Sequence, residues 1–335
     1  MSTGIDIRKL VKTFTSTKRR FGIIPSGHVE TRALKGIDFA VGKGETVGLL
    51  GPNGAGKTTT IKILSTLILP DAGEVRVNGF DVVRQPTQVR ASIGVITGGE
   101  RSVYYKLSGR ENLILFGRLY RLPRAEAKER ADELLDMMGL SKKADEQCED
   151  YSTGMRMKIV FARSLVHDPP TLMFDEPTLG LDPAFAREIR QFIRTKLHNK
   201  CILLTTHYMN EADFLCDRIL LLHEGQIVAS GTPTELKRSI REHDILALHI
   251  KGRIARRPLE KLPGVSRVAV TPDVSGTSTL RLHVLDGAAV IRQLLDAVET
   301  QGAKVLRFEF EEPTLDDVFI QKTGRRIAEH GSESS

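Results

Sequence analysis

Apolar and polar positions alternate from residue 5 to 14, with Ile5 and Ile7 followed by Leu10 and Val11, the period of a half-buried strand. From 15 to 31 the texture breaks into Lys, Gly, Ser and Pro, and this stretch reads as an inserted long loop. A second strand fits Ile37-Asp38-Phe39-Ala40-Val41, which ends in the turn Gly42-Lys43-Gly44-Glu45, and a third fits residues 46–50. Residues 59–69 are helix-like, and 111–139 keep a helical period with breaks near Pro123 and Gly139. A helix starting near Ser152 runs to Val166, a short buried strand fits 171–174, a helix 185–198 and a strand 201–205. Strands alternating with helices predict an α/β layer architecture on a largely parallel sheet.

Beyond Gly231-Thr232-Pro233 the pattern changes. Residues 244–252, 265–270, 279–285 and 304–310 read as strands, 288–300 and 314–321 as helices, and 329–335 as a disordered tail. This predicts a second, smaller α+β unit: a four-stranded sheet with helices on one face.

The length of 335 residues suits roughly two domains of ordinary size. With 40% hydrophobic and 27% charged residues the chain is neither disordered nor fibrous. Aromatic residues at 5%, with no Trp, make base-stacking platforms unexpected, and no nucleic-acid partner is expected. The best apolar run, 61–70, is too short to cross a bilayer, and residues 1–8 carry Asp6 without an apolar signal core. Neither a spanning helix, a secretion signal nor a lipid anchor is therefore expected. Cys148, Cys201 and Cys216 match no zinc spacing and read as core filler in a reducing cytosol. The net charge of +7 is spread thinly, with local clusters at Lys18-Arg19-Arg20 and 251–257. These read as solvated surface, with attraction to an anionic membrane as the alternative.

The chemistry concentrates in two segments. Gly51-x-x-x-x-Gly56-Lys57-Thr58 matches the phosphate-binding loop and lies where that loop must lie, after a buried strand and before a helix. Glycines let backbone N–H groups turn around phosphates, the helix N-terminus adds its positive end, Lys57 reaches the β- and γ-phosphates, and Thr58 ligates Mg²⁺. Thr171-Leu172-Met173-Phe174-Asp175-Glu176 then places two carboxylates just past a hydrophobic strand. Beside a phosphate loop, the first acid organises Mg²⁺ and the second orients the attacking water as general base.

Tyr151-Ser152-Thr153-Gly154-Met155-Arg156, followed by Asp175-Glu176-Pro177-Thr178, Gly180-Leu181-Asp182-Pro183 and Thr206-His207, resembles the nucleotide-binding subunit of an ATP-binding cassette (ABC) transporter. The motif order matches across roughly residues 5–235. The resemblance implies a P-loop NTPase cassette over 1–232, a mostly parallel sheet with a helical subdomain at about 99–165 and the 15–31 insertion. A C-terminal α+β domain would follow at 233–325, with a flexible tail at 326–335.

It also implies an ATPase using ATP and Mg²⁺. Gly51, Pro52, Asn53, Gly54, Ala55, Gly56, Lys57, Thr58 and Thr59 would hold the triphosphate, and Phe14 would stack on adenine. Thr58 and Asp175 would hold the metal, with Glu176, His207 and Lys57 catalytic. Ser152 and Gly154 would meet the γ-phosphate bound to the other copy of a head-to-tail homodimer, with Asp182 in the loop that couples the sites. The family's usual Gln after the strand at Ile93-Gly94-Val95-Ile96 is replaced by Thr97-Gly98-Gly99-Glu100, so no metal role is assigned there.

Leu107-Ser108-Gly109-Arg110-Glu111-Asn112-Leu113 and the C-terminal Glu312-Pro313-Thr314-Leu315-Asp316-Asp317-Val318-Phe319 resemble bacterial exporter ATPases of the daunorubicin-resistance and sodium-efflux type. With no spanning helix expected in the chain, the resemblance implies a separate membrane-spanning permease subunit. The expected contact is the helical subdomain with Tyr104, Tyr105 and Phe116, on the cytoplasmic face of the cell membrane. The alternatives are a soluble ABC-type regulator of a ribosome or nucleic-acid process, and an importer motor.

Overall fold

Of the stretch expected as an inserted loop, residues 15–20 and 24–31 are strand. β1 (Thr3–Arg20) and β2 (Ile24–Gly42) form a long antiparallel hairpin, paired from Thr3 opposite Gly42 to Arg20 opposite Ile24. Thr13, Thr15, Thr17, Val29 and Thr31 are β-branched and favour extended backbone. A hairpin also satisfies its hydrogen bonds across its own partner, so it needs no apolar face that a pattern search would detect. Pro25 and Gly27, which suggested a loop, flank the register shift at Lys18/Arg19. The structure is a computed structural model and describes residues 3–20, 24–97, 102–240, 244–252, 254–272, 277–285, 287–311 and 313–324. The replacement for the family's Gln at 98–100, the side chains of 18–20 and the tail from 325 lie outside the described residues.

The hairpin continues into a sheet of order β2-β1-β4-β5, with β4 at Ala72–Val77 and β5 at Phe80–Asp81. Against it lies a six-stranded sheet of order β10-β9-β3-β8-β7-β6. Its members are β3 (Thr46–Leu50), β6 (Ile93–Ile96), β7 (Thr171–Asp175), β8 (Cys201–Thr206), β9 (Arg218–His223) and β10 (Gln226–Gly231). All neighbours are parallel except β10 on β9. β3 and β8 are buried at every position, as strands covered on both faces must be. Helix α1 (Lys57–Leu64) places Ile61, Ile63 and Leu64 in one core with Ile5 and Val41 of the first sheet and Leu49 and Met173 of the second. It stops short of the expected residue 69, because Ser65 turns its hydroxyl back to the Ile61 carbonyl and Thr66 takes a φ of 62°.

After α2 (Pro86–Ala91), the helical region holds α3 (Gly109–Leu119), α4 (Arg124–Met137) and α5 (Thr153–Leu165). Ser108 and Glu111 form a reciprocal capping box that fixes the start of α3. α6 (Pro183–Lys196) and α7 (Met209–Leu215) complete the cover of the parallel sheet. The three cysteines are free and buried, and burial pushes the Cys148 thiol up to about 11 and Cys201 to about 12, which makes both inert. Among the described residues no helix is long and apolar enough to cross a membrane.

One compact unit ends at Pro233 and a second begins at Thr234. The second contains α8 (Pro233–Arg238) apart from its first residue, β11 (Asp244–Lys251), α9 (Arg256–Glu260), β12 (Val265–Pro272), β13 (Thr277–Val284), α10 (Gly287–Thr300), β14 (Lys304–Glu311) and α11 (Leu315–Thr323). From β11 to β14 the chain runs βαββαβ, and the antiparallel order β12-β13-β11-β14 is the split βαβ, ferredoxin-like topology. Leu246, Leu248, Leu280 and Leu282 share a core with Leu259 of α9 and Val290 and Leu294 of α10. The expected placement of every helix on one face is corrected by α11. Its Asp317 carboxylate lies 3.6 Å from Arg281 and 3.8 Å from His283, which alternate with Leu280 and Leu282 and so mark the opposite face.

Candidate functional site

Strand order builds the site. β3, β8 and β7 are parallel neighbours, with Leu50 opposite Thr206 and Asp175 opposite Thr205, so their C-terminal ends lie side by side. Ligand chemistry on α/β sheets collects at that edge. From the end of β3 the chain enters Gly51–Gly56. A Cβ on Gly51 would stand 2.1 Å from the Leu222 carbonyl oxygen, and Gly56 has a φ of 113° with the Ala33 carbonyl 2.6 Å from its Cβ position. Neither position admits a side chain. Pro52 and Thr59 are half-buried, Ala55 is buried, and Asn53, Gly54 and Thr58 are exposed at the mouth of the loop. Gly56 caps α1 without any side-chain bond, so the first-turn N–H groups face the loop mouth.

Lys57 is almost fully buried. Its ammonium donates to the carbonyls of Gly51 (2.7 Å) and Pro52 (3.2 Å) and stands 3.5 Å from Glu176 Oε1. Burial pulls its pKa below the ordinary lysine value, against the opposing pull of Glu176 and Asp175. Asp175 Oδ1 accepts from Thr58 Oγ1 at 3.2 Å and from Thr205 Oγ1 at 2.5 Å. Glu176 has a φ of 51°, a left-handed backbone conformation that costs of order 1–3 kcal/mol in a residue with a side chain. It is held there by its N–H, which donates to the carbonyl and the hydroxyl of Thr205, each at 3.1 Å. Its Oε2 lies 3.0 Å from His207 Nδ1. Lys57, Thr58, Asp175, Glu176 and His207 are thus brought together. Such a set can neutralise phosphate charge, hold a hard cation and accept a proton.

Other expected residues stand apart from that cluster. Phe14 is on β1, its ring partly exposed with the Lys12 ammonium 5.6 Å from the ring centre. Ser152 caps α5 by accepting from the Met155 N–H, and Asp182 caps α6 by accepting from Ala184 and Phe185. With Gly154 and Lys158 they line an open cleft of about 520 Å³.

Two supports were not legible in advance. Thr205 links Asp175 to the backbone of Glu176, and its only sequence signal is its place two residues before His207. Glu211 of α7 is fully buried and accepts from Thr178 Oγ1 at 2.7 Å, tying α7 to the segment that follows Glu176. Burial pushes its carboxyl above the ordinary Glu value, while the Thr206 and Thr178 hydroxyls oppose the rise. The folded state therefore binds the Glu211 proton more tightly than the unfolded chain. The stability this gives is full below the ordinary Glu pKa and is lost as pH rises through the folded value. Glu211→Gln keeps an acceptor for Thr178 and removes this penalty. Its melting temperature should match the unchanged protein near pH 4 and exceed it by a few degrees at pH 8. Parallel melting curves across that range would show that Glu211 is not a buried acid.

Comparison with known proteins agrees with this geometry. Residues 34–179 match the family described as ABC transporter, and residues 231–323 the family described as ATP-binding protein DrrA1-3-like, C-terminal domain. The daunorubicin resistance ATP-binding protein DrrA2 of Streptomyces coeruleorubidus is 40% identical over 300 residues, covering 89% of this chain and 92% of that protein. The daunorubicin/doxorubicin resistance ATP-binding protein DrrA of Streptomyces peucetius is 38% identical over 306 residues, covering 91% and 92%. Among solved structures, an ATP-binding subunit of an ABC transporter superposes with a TM-score of 0.59 at 30% identity, over 70% of this chain and 92% of that one. A dimeric ATP-binding cassette in a post-hydrolysis state with ADP and Pi gives 0.58 at 27% identity, over 68% and 98%. A phosphate loop at the switch edge of the sheet, the paired acids beside it and relatives matched over nearly their whole length lead to one assignment: the chain belongs to the ATP-binding subunits of ABC transporters, in the branch of the daunorubicin-resistance ATP-binding proteins, and is an ATPase.

Proposed function

We propose that this chain is the ATP-hydrolysing motor of an exporter in which two copies close head-to-tail around ATP and drive a separate membrane-spanning subunit. The observation that carries it is the meeting of Lys57, Thr58, Asp175, Glu176 and His207 beside an uncapped helix N-terminus. In this reading the 51–59 segment wraps the triphosphate with backbone N–H groups, Lys57 neutralises the β- and γ-oxygens, and Phe14 stacks on adenine. Thr58 and Asp175 supply a hydroxyl and a carboxylate 3.2 Å apart, hard oxygen donors of the kind Mg²⁺ prefers. Bound there, Mg²⁺ supplies positive charge against the phosphate oxygens. Glu176 takes the proton of the attacking water as its oxygen bonds to the γ-phosphorus and the bond to ADP breaks, and that proton then passes to the released phosphate. His207, 3.0 Å from the same carboxylate, keeps it aimed at the water.

Ser152, Gly154 and Asp182 serve the ATP of the other copy in this scheme. Their separation from Lys57 in a cleft at the start of α5 supports that, as does a solved relative that is dimeric with ADP and Pi. Relatives named as resistance ATP-binding proteins support export over import or a regulatory role. Tyr104, Tyr105 and Leu119 are exposed in the helical region and form the membrane partner's contact, while Phe116 is half-buried under the Arg163 guanidinium. The test is co-expression with the membrane-spanning subunit. The chain should enter the membrane fraction only with that subunit, and Tyr104→Asp should lower the bound fraction at least about tenfold with ATP binding unchanged. Flotation of the chain with anionic lipid vesicles alone would overturn partner-dependent attachment.

A further inference from the structure

Among the described residues β14 is an edge of the C-terminal sheet, paired on one side only, with β11. Exposed strand edges invite pairing with another chain, and folded proteins usually blunt them with charge, Pro or short length. The other edge, β12, is blunted in that way: it carries Arg267 and ends at Pro272, with no acid along it. β14 is not. Its eight residues display Leu306, Phe308 and Phe310 at 54%, 48% and 54% exposure. Between the apolar positions stand Arg307 and Glu309, opposite in sign and two residues apart. Within one copy they meet each other at 2.6 Å.

That spacing makes the strand complementary to itself in one direction only. Set parallel and in register against a second copy, Arg307 would face Arg307 and Glu309 would face Glu309. Set antiparallel about a two-fold axis through Phe308, each Arg307 faces the other copy's Glu309, Leu306 faces Phe310, and Phe308 faces its own equivalent. Opposite charges and aromatic pairs directly across antiparallel strands are the stabilising combinations, and a two-fold interface must be self-complementary. We propose that β14 is a homodimer edge, pairing antiparallel with β14 of a second copy through Phe308 to give one continuous sheet with four strands from each copy. This contact is separate from the nucleotide site, so it needs no ATP and its failure leaves the ATPase assignment untouched.

The test uses the full chain without nucleotide. Sedimentation equilibrium should show a concentration-dependent dimer. Arg307→Glu and Glu309→Arg should each weaken it by about tenfold or more, because each places like charges at two symmetric positions. The double variant Arg307→Glu/Glu309→Arg exchanges the charges and should restore association to near that of the unchanged chain, a rescue that a merely misfolded variant would not give. Under mild oxidation Phe308→Cys should form a disulfide-linked homodimer, while the unchanged chain, whose three cysteines are buried, should not. Bound ATP in each variant reports that the fold is kept. A nucleotide-free chain that stays monomeric, a dimer indifferent to the charge changes, or a Phe308→Cys protein that forms no disulfide would overturn the proposal.

Discussion

Glu176→Gln should lower steady-state ATP hydrolysis by about 10²–10⁴-fold while leaving ATP binding intact. The substitution keeps shape and hydrogen-bonding reach but removes the group that accepts a proton from water. The backbone that presents the side chain is set elsewhere, by the bonds from the Glu176 N–H to Thr205, and glutamine leaves those bonds in place. Because ATP still binds and cannot be cleaved, the closed two-copy form should accumulate. Size-exclusion chromatography with ATP and Mg²⁺ should then show a dimer that disperses when nucleotide is removed. Turnover at the normal rate would remove Glu176 from the role of general base. The nucleotide-free β14 contact is measured without ATP, so the two modes of association are separable.

Lys57→Met should weaken ATP binding by about 100-fold or more, since losing a buried charged partner of a phosphate costs several kcal/mol. Methionine matches the length of the side chain, so the loop is not hollowed out. Burial already disfavours the Lys57 charge, and removing a desolvated ion in favour of an apolar side chain of similar volume is often nearly neutral for stability. The opposing loss is two accepted hydrogen bonds, at the Gly51 and Pro52 carbonyls. The expected signature is a nucleotide-free melting temperature close to that of the unchanged protein, together with loss of the rise that ATP gives. A preserved ATP-dependent rise would mean that Lys57 does not carry the phosphate charge.

How much of this was legible in the chain depends on the range of the interaction concerned. The phosphate loop, the paired acids after a buried strand and Ser152 at the start of a helix are local patterns. Each states its own geometry: glycines where no Cβ fits, an apolar run long enough for a covered strand, an oxygen placed to cap a helix. The 15–31 stretch was misread because a hairpin that pairs with itself needs no apolar alternation. The extra face of the C-terminal unit was missed because Asp317 finds Arg281 and His283 only when α11 has turned back over the sheet.

In the sequence by itself, short-range patterning and motif spacing determined the phosphate loop, the paired acids beside it and a second α+β unit, and the cassette with its ATP chemistry followed from the family resemblance those motifs carry. Only the tertiary structure decided the rest. The order β3-β8-β7 brings Thr205 onto Asp175 and His207 onto Glu176, burial shifts the Lys57 and Glu211 protons, and β14 falls at an edge of its sheet among the described residues. Each of these depends on which distant segments become neighbours, and on how much water is left between them.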